Sequence, residues 1–176
     1  MGNQRQYFDF PNRTCRTARH RMVTMDAKIP PDIILLGCGT LIWLLVKYLP
    51  GFGFEIGYHA LLSGMIFLLG FLIIFSAKAT LYKHRTTERP GLHSLPRVTA
   101  LVTIGVYRFS RNPIYLGMVL LLIGWTVMLM NWIGIIGVVV FAGFVTKFQI
   151  IPEEKMLDHI FGNEYRRYAS RVRRWI

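Results

Sequence analysis

Apolar residues in this chain are segregated into blocks. Residues 33–46 and 56–77 hold no Lys, Arg, Asp or Glu, and residues 112–146 form a run of 35 positions without one. A helix rises about 1.5 Å per residue and the hydrocarbon core of a bilayer is about 30 Å thick, so about 20 apolar residues make one crossing. The first two runs each predict one span. The third is too long for one, and its polar break at Met130-Asn131-Trp132 predicts a hairpin with Asn131 at the turn and Trp132 at the headgroup level. The expected spans are 33–50, 56–77, 113–130 and 132–150. The fold class is therefore an all-α membrane protein with about four transmembrane helices.

Composition agrees with that pattern. With 53% hydrophobic residues and a mean hydropathy of +0.39, the 176-residue chain is sized for one domain but is too apolar for an ordinary soluble one. Residues 1–32 form a basic N-terminal segment and residues 33–176 the membrane domain. A cleaved signal peptide is disfavoured for the first run, because 32 residues precede it and no small-residue cleavage pattern follows closely.

Charge adds an orientation. Of 21 Lys and Arg, 20 fall in three segments on one side of the expected spans, which leaves Lys47 on the other. The excess of positive charge in cytoplasmic loops then puts both termini and the central loop in the cytoplasm, and the small chain without an organelle signal leans toward a bacterial inner membrane. A net charge of +12 is accounted for by bases beside anionic membrane lipid. No groove-reading or base-stacking motif accompanies it, so nucleic acid is not an expected partner. Cys15 and Cys38 lie in different environments and show no metal-ligand spacing, so no metal site is expected. The myristoylation-like start at Met1-Gly2 has Gln6 where Ser or Thr is wanted, and the sequon at Asn12 falls on the wrong side of the membrane.

Candidate chemistry collects at the ends of the spans. The segment 82–112 is a loop punctuated by Pro90, Gly91 and Pro96 and ends in Arg111-Asn112-Pro113-Ile114-Tyr115-Leu116-Gly117. Pro113 suits the first turn of a helix, and Gly117 allows another group to approach the backbone. A helix N-terminus flanked by Arg111 and Asn112 suits an anion. The plainer alternative is a membrane-entry cap in which Arg111 holds lipid phosphate and Tyr115 anchors the interface. The fourth span is expected to end at Gln149-Ile150-Ile151-Pro152-Glu153-Glu154, whose adjacent acids meet either nearby bases or a cationic ligand. In the tail, Tyr165, Tyr168, Val172 and Trp175 or Ile176 recur at helical spacing among arginines, which predicts an amphipathic helix closing the mouth of the bundle.

Leu101-Val102-Thr103-Ile104-Gly105-Val106-Tyr107, then Arg111-Asn112-Pro113-Ile114-Tyr115-Leu116-Gly117, an apolar hairpin, Pro152-Glu153-Glu154 and Phe161-Gly162-Asn163-Glu164-Tyr165 stand in one order and spacing. In this, the stretch from Leu101 to Ile176 resembles the isoprenylcysteine carboxyl methyltransferase and phospholipid methyltransferase family of integral membrane enzymes. The resemblance implies an S-adenosylmethionine-dependent methyl transfer to a lipid-like or membrane-embedded small acceptor. It also implies cofactor contacts at Thr99, Ala100, Leu101, Val102, Tyr107, Asn112, Pro113, Ile114, Tyr115 and Glu153, with the amphipathic C-terminal helix completing the site. Arg111, Gln149 and Glu154 are the candidates for a catalytic role.

Two positions depart from the family pattern. Asn112 stands where the family has His, which keeps hydrogen bonding and loses a titratable ring. Gln149 stands where carboxyl-methylating members have Arg, so a neutral or cationic acceptor is expected in place of a carboxylate. Two other functions compete: a nicotinamide-dependent sterol or lipid reductase, and a non-catalytic membrane subunit that keeps the fold. The paired glycines at 37 and 39 and at 51 and 53 lack the third glycine of a dinucleotide-binding turn, so a soluble nucleotide-binding fold is discarded.

Overall fold

A computed structural model of the chain describes residues 30–83 and 101–176. Most of the basic N-terminal segment, most of the central loop, and with them Thr99 and Ala100, lie outside the described residues. The described chain is helical: α1 Pro31–Tyr48, α2 His59–Lys83, α3 Pro113–Met128, α4 Ile133–Val145, α5 Ile151–Phe161 and α6 Asn163–Ala169. Short 3-10 turns occupy Pro50–Phe52 and Gly105–Arg108.

Among the described residues three helices are long and apolar enough to cross a bilayer: Pro31–Tyr48, His59–Lys83 and the continuous stretch Ile133–Phe161. The third expected span, 113–130, appears as α3, which has 16 residues and a length of about 24 Å, short of the hydrocarbon core. The second span is displaced from 56–77 to His59–Lys83, because Tyr58 takes a left-handed φ of 61° ahead of the helix.

The last span does not stop at residue 150. A π-helical turn at Thr146–Ile150 carries it into α5, with the Ile151 N–H reaching back to the Thr146 carbonyl. Pro152 lacks an N–H and would clash with the carbonyl one turn back; widening that turn lets the helix pass through it. The acids after Pro152 therefore stand on a helix rather than beyond the end of one.

Packing is inverted relative to a soluble protein. The buried positions of α2 are Ser63, Gly70, Ala77 and Leu81, while Leu61, Met65, Leu68, Phe71 and Phe75 are exposed. Large apolar side chains outside and small ones inside are what a lipid-facing helix requires. The small residues let α2 and α3 meet antiparallel. A Cβ at Gly117 would come within 2.8 Å of the Gly70 carbonyl, and the Ser63 hydroxyl donates to the Gly124 carbonyl at 2.9 Å. Gly117 thus serves the helix seam, not a ligand.

Helix α1 is tied on by Trp125, whose indole N–H donates to the Gly39 carbonyl at 3.1 Å, and by Ile42 seated against Gly137 of α4. The main core joins Ile42, Met118, Leu122, Phe141, Val145 and Ile150.

The hairpin turn falls at Asn131 as its polarity predicts. Its Oδ1 accepts from the Ile133 N–H at 2.9 Å and its Nδ2 donates to the Leu49 carbonyl at 3.4 Å. Gly53 and Asn131 form an isolated antiparallel bridge, flanked by Phe54 N–H to Met130 O at 2.9 Å and Trp132 N–H to Phe52 O at 3.0 Å. Backbone groups that would otherwise be unpaired at this end are satisfied inside the protein.

The amphipathic tail helix is shorter than its periodicity predicts. It ends at Ala169, and residues 170–176 run on as a non-helical strap. The apolar face is nevertheless the expected one: Tyr165 is buried and Tyr168, Val172 and Trp175 are half-buried, while Ile176 is exposed. The strap leaves the helix because its carbonyls are used elsewhere: Arg173 O accepts from the Arg111 N–H at 3.1 Å and Arg174 O from Asn112 Nδ2 at 3.0 Å.

Candidate functional site

The start of α3, the first turn of α5 and the strap converge at the end of the bundle opposite the hairpin. Pro113 occupies the first position of α3, where a missing N–H costs nothing, and Asn112 precedes it. The Asn112 side chain does not cap the helix. It turns to the strap, and the Asn112 N–H donates to Ser110 Oγ at 3.1 Å.

Glu154 is held by two guanidiniums. Arg174 approaches it as a fork, Nε to Oε1 at 3.1 Å and Nη2 to Oε2 at 2.7 Å, while Arg111 Nη1 lies 3.3 Å from Oε1. The side chains of Arg111 and Glu154 are each only 15% exposed, so that pair is little screened, while the Arg174 side chain is 37% exposed. Arg111 Nη1 also donates to the Tyr165 hydroxyl at 3.1 Å. Arg111 therefore engages protein groups through Nη1. Its Nε is buried and meets no acceptor among the described residues.

Glu153 faces a different partner, accepting from the Tyr115 hydroxyl at 3.3 Å. Residues 141, 145, 149 and 153 step by four along the last span, and Phe141, Val145 and Gln149 are all buried. The π-helical turn carries Gln149 at 7% exposure on the inner side, one turn before Glu153. Turns of this kind recur at functional sites.

The expected contacts upstream are placed apart from the acids. Val102 and Tyr107 are buried against Ala77 and Leu81 of α2, with Val106 and Ile114 packed on them. Gly105, at φ 62°, sets the 3-10 turn that aims Tyr107 inward. Leu101 is half-buried. Ile114 touches both this cluster and the main core, and Tyr115 packs on the latter. Asn112, Pro113, Tyr115, Glu153, Arg111 and Glu154 are thus brought together, whereas Val102 and Tyr107 form a separate buried apolar cluster against α2.

The phenols are shifted by their surroundings. Burial pushes Tyr168 well above its ordinary range, and its hydroxyl donates to the Tyr107 carbonyl at 2.7 Å. Tyr165 is raised by burial first and by the nearby Glu154 charge second. The Glu154 hydrogen bonds raise Arg174. Among the described residues no cluster of His, Cys, Asp or Glu could hold a metal ion.

Arg174, Ser110 and the pairing role of Tyr165 were not legible in the motif pattern. Tyr165 was recognisable as part of an apolar face and as the end of the motif at 161–165, not as a partner of Arg111. Arg174 is one of five arginines between residues 166 and 174, and nothing in the spacing separates it from the others.

Residues 58–164 match the family model described as phospholipid methyltransferase. An uncharacterised protein of Haemophilus influenzae is 45% identical over 62 residues, covering 35% of this chain and 98% of that protein. The protein-S-isoprenylcysteine O-methyltransferases A and B of Arabidopsis thaliana are each 44% identical over 75 residues, covering 41% of this chain and 36% of each plant enzyme.

Proposed function

We propose that this chain, which belongs to the phospholipid methyltransferase family, transfers a methyl group from S-adenosylmethionine to a lipid-like acceptor held in the membrane. The observation that carries this is the meeting of Tyr115 and Glu153, 38 residues apart in sequence, beside the α3 N-terminus and an Arg111 Nε that meets no acceptor among the described residues. The cofactor combines a sulfonium, an ammonium and a carboxylate, so it calls for an acid, an anion-binding donor set and apolar walls in one place.

The residues present fit that demand. Glu153 would face the cationic part, while Arg111 Nε and the start of α3 at Asn112 and Pro113 would face the carboxylate. Ile114, Leu101, Val102 and Tyr107 would supply the apolar wall, with Thr99 and Ala100 just upstream. When bound, the cofactor supplies the activated methyl group. The protein's task is then to orient the acceptor and keep water out. Glu154 is committed to two guanidiniums and acts as a fixed counter-charge. Gln149, buried and neutral, favours an acceptor without a carboxylate, such as an amine, thiol or hydroxyl on an apolar body.

In this reading residues 33–176 form the methyltransferase domain. The motif end of the bundle faces the cytoplasm, where the cofactor is available, in a bacterial inner membrane, and membrane lipids surround the chain. Calorimetric titration of the purified full chain with S-adenosylhomocysteine and, separately, with a nicotinamide dinucleotide tests the proposal. Saturable binding of the first alone is expected. Binding of the dinucleotide alone, or of neither, would remove it.

A further inference from the structure

The strap supplies a residue that lies beyond the family match, which ends at residue 164. Arg174 makes contacts of two kinds. Its guanidinium grips both oxygens of Glu154 at 3.1 and 2.7 Å. Its carbonyl accepts from Asn112 Nδ2 at 3.0 Å and from Ser110 Oγ at 3.4 Å. One residue therefore spans the first turn of α5 and the entry to α3. Its neighbours seat it: the Arg173 carbonyl takes the Arg111 N–H at 3.1 Å, and Trp175 packs against the main core.

An exposed ion pair would mean little, since such pairs contribute small and screened energies. This one differs in geometry and setting. The Glu154 side chain is 15% exposed against 37% for Arg174, the contact is a two-point fork, and Arg174 also fixes a second site segment through its backbone. Without the fork, Glu154 keeps one longer contact, to Arg111 at 3.3 Å. If the strap leaves, Asn112 loses the acceptor of its amide as well.

The geometry points to Arg174 as a positioning residue for the cofactor site, an inference that rests on the function proposed above: the site is assembled only while the strap is docked. Asn112 then has a defined part in this chain. Its amide donates to the strap carbonyl at 3.0 Å, and because an amide does not titrate that contact does not depend on pH.

The experiment uses the full chain in lipid nanodiscs, with both native cysteines replaced and a nitroxide on Ile176→Cys, a position 74% exposed. Affinity for S-adenosylhomocysteine and mobility of the label are read in parallel. Arg174→Gln is expected to free the label and weaken binding by about tenfold, the loss of one charge-assisted contact. Arg174→Lys, which keeps the charge and loses the fork, should recover part of both. The double variant Arg174→Gln/Glu154→Gln should bind no more weakly than the weaker single variant. Unchanged affinity with a freed label, or additive losses in the double variant, would overturn the positioning role. A label that stays immobile in Arg174→Gln would overturn the docking itself. If the parent chain binds no S-adenosylhomocysteine, the proposed function fails, while the label still decides whether Arg174 docks the strap.

Discussion

The two ends of the helix bundle are closed by opposite means. At the hairpin end the seal is neutral: one bridge between Gly53 and Asn131, a single buried amide, and the rings of Phe54 and Trp132 with centroids 4.7 Å apart. At the motif end Arg111, Glu154 and Arg174 form a partly buried charged network with Tyr165, and Glu153 pairs with Tyr115 beside it. Partly buried ions are a costly way to close a fold, because desolvation offsets much of the attraction. The hairpin end demonstrates that this chain can close without them. The two ends thus use different chemistry for the same task, neutral at one and charged at the other.

The sharpest test of that contrast is the side of the membrane each end occupies. In a cysteine-free chain, a single cysteine at exposed Gly57 should react fully with an impermeant maleimide on intact cells, and one at exposed Asn163 should react only after permeabilisation. Labelling of position 163 on intact cells would reverse the orientation. Asn131 is no use as a reporter here, since it is 2% exposed.

Binding should be divided in the same way. Glu153→Gln is expected to weaken S-adenosylhomocysteine binding by about tenfold to a hundredfold, and Glu154→Gln by about tenfold at most, in calorimetry. Near-zero effects of both would leave the acids as surface features.

Asn131→Ala should leave that affinity unchanged and lower stability by about 1–2 kcal/mol, through loss of the contacts to Ile133 N–H and the Leu49 carbonyl. Thermal unfolding in nanodiscs would measure it. A shifted affinity would mean that the two ends are coupled.

The smallest effect is confined to high pH. Tyr165 and Tyr168 titrate above the ordinary value of 10.0 when docked, so the undocked tail loses its phenolic protons first. Between the free and docked values the undocked state binds fewer protons, and docking therefore weakens as pH rises. Below about pH 9 the contribution is fully present. A label at Ile176 should gain mobility above about pH 10, while one at Gly57 does not change with it.

Much of this was legible in the chain itself. The uncharged runs define the apolar helices, because each backbone polar group in a bilayer must be satisfied within the span that carries it. Asn131 marked the hairpin, since it is the one amide in that apolar run between Pro113 and Val145. The motif around Arg111 and the acids after Pro152 made the family legible, because that pattern consists of residue types in a fixed order and spacing along the chain.

Tertiary structure decided the rest. Composition does not show that α3 is only 16 residues long, because its ends are set by the turn at Asn131 and by the strap. Pro152 reads as a helix stop, yet a π-helical turn absorbs it and keeps Glu153 and Glu154 on the helix. The tail's period of apolar residues persists to Trp175 although its helix ends at Ala169, because strap carbonyls are drawn to Arg111 and Asn112. Above all, nothing local separates Arg174 from the arginines around it. Its partners lie 20 and 62 residues away, and only the packing of the bundle sets those distances.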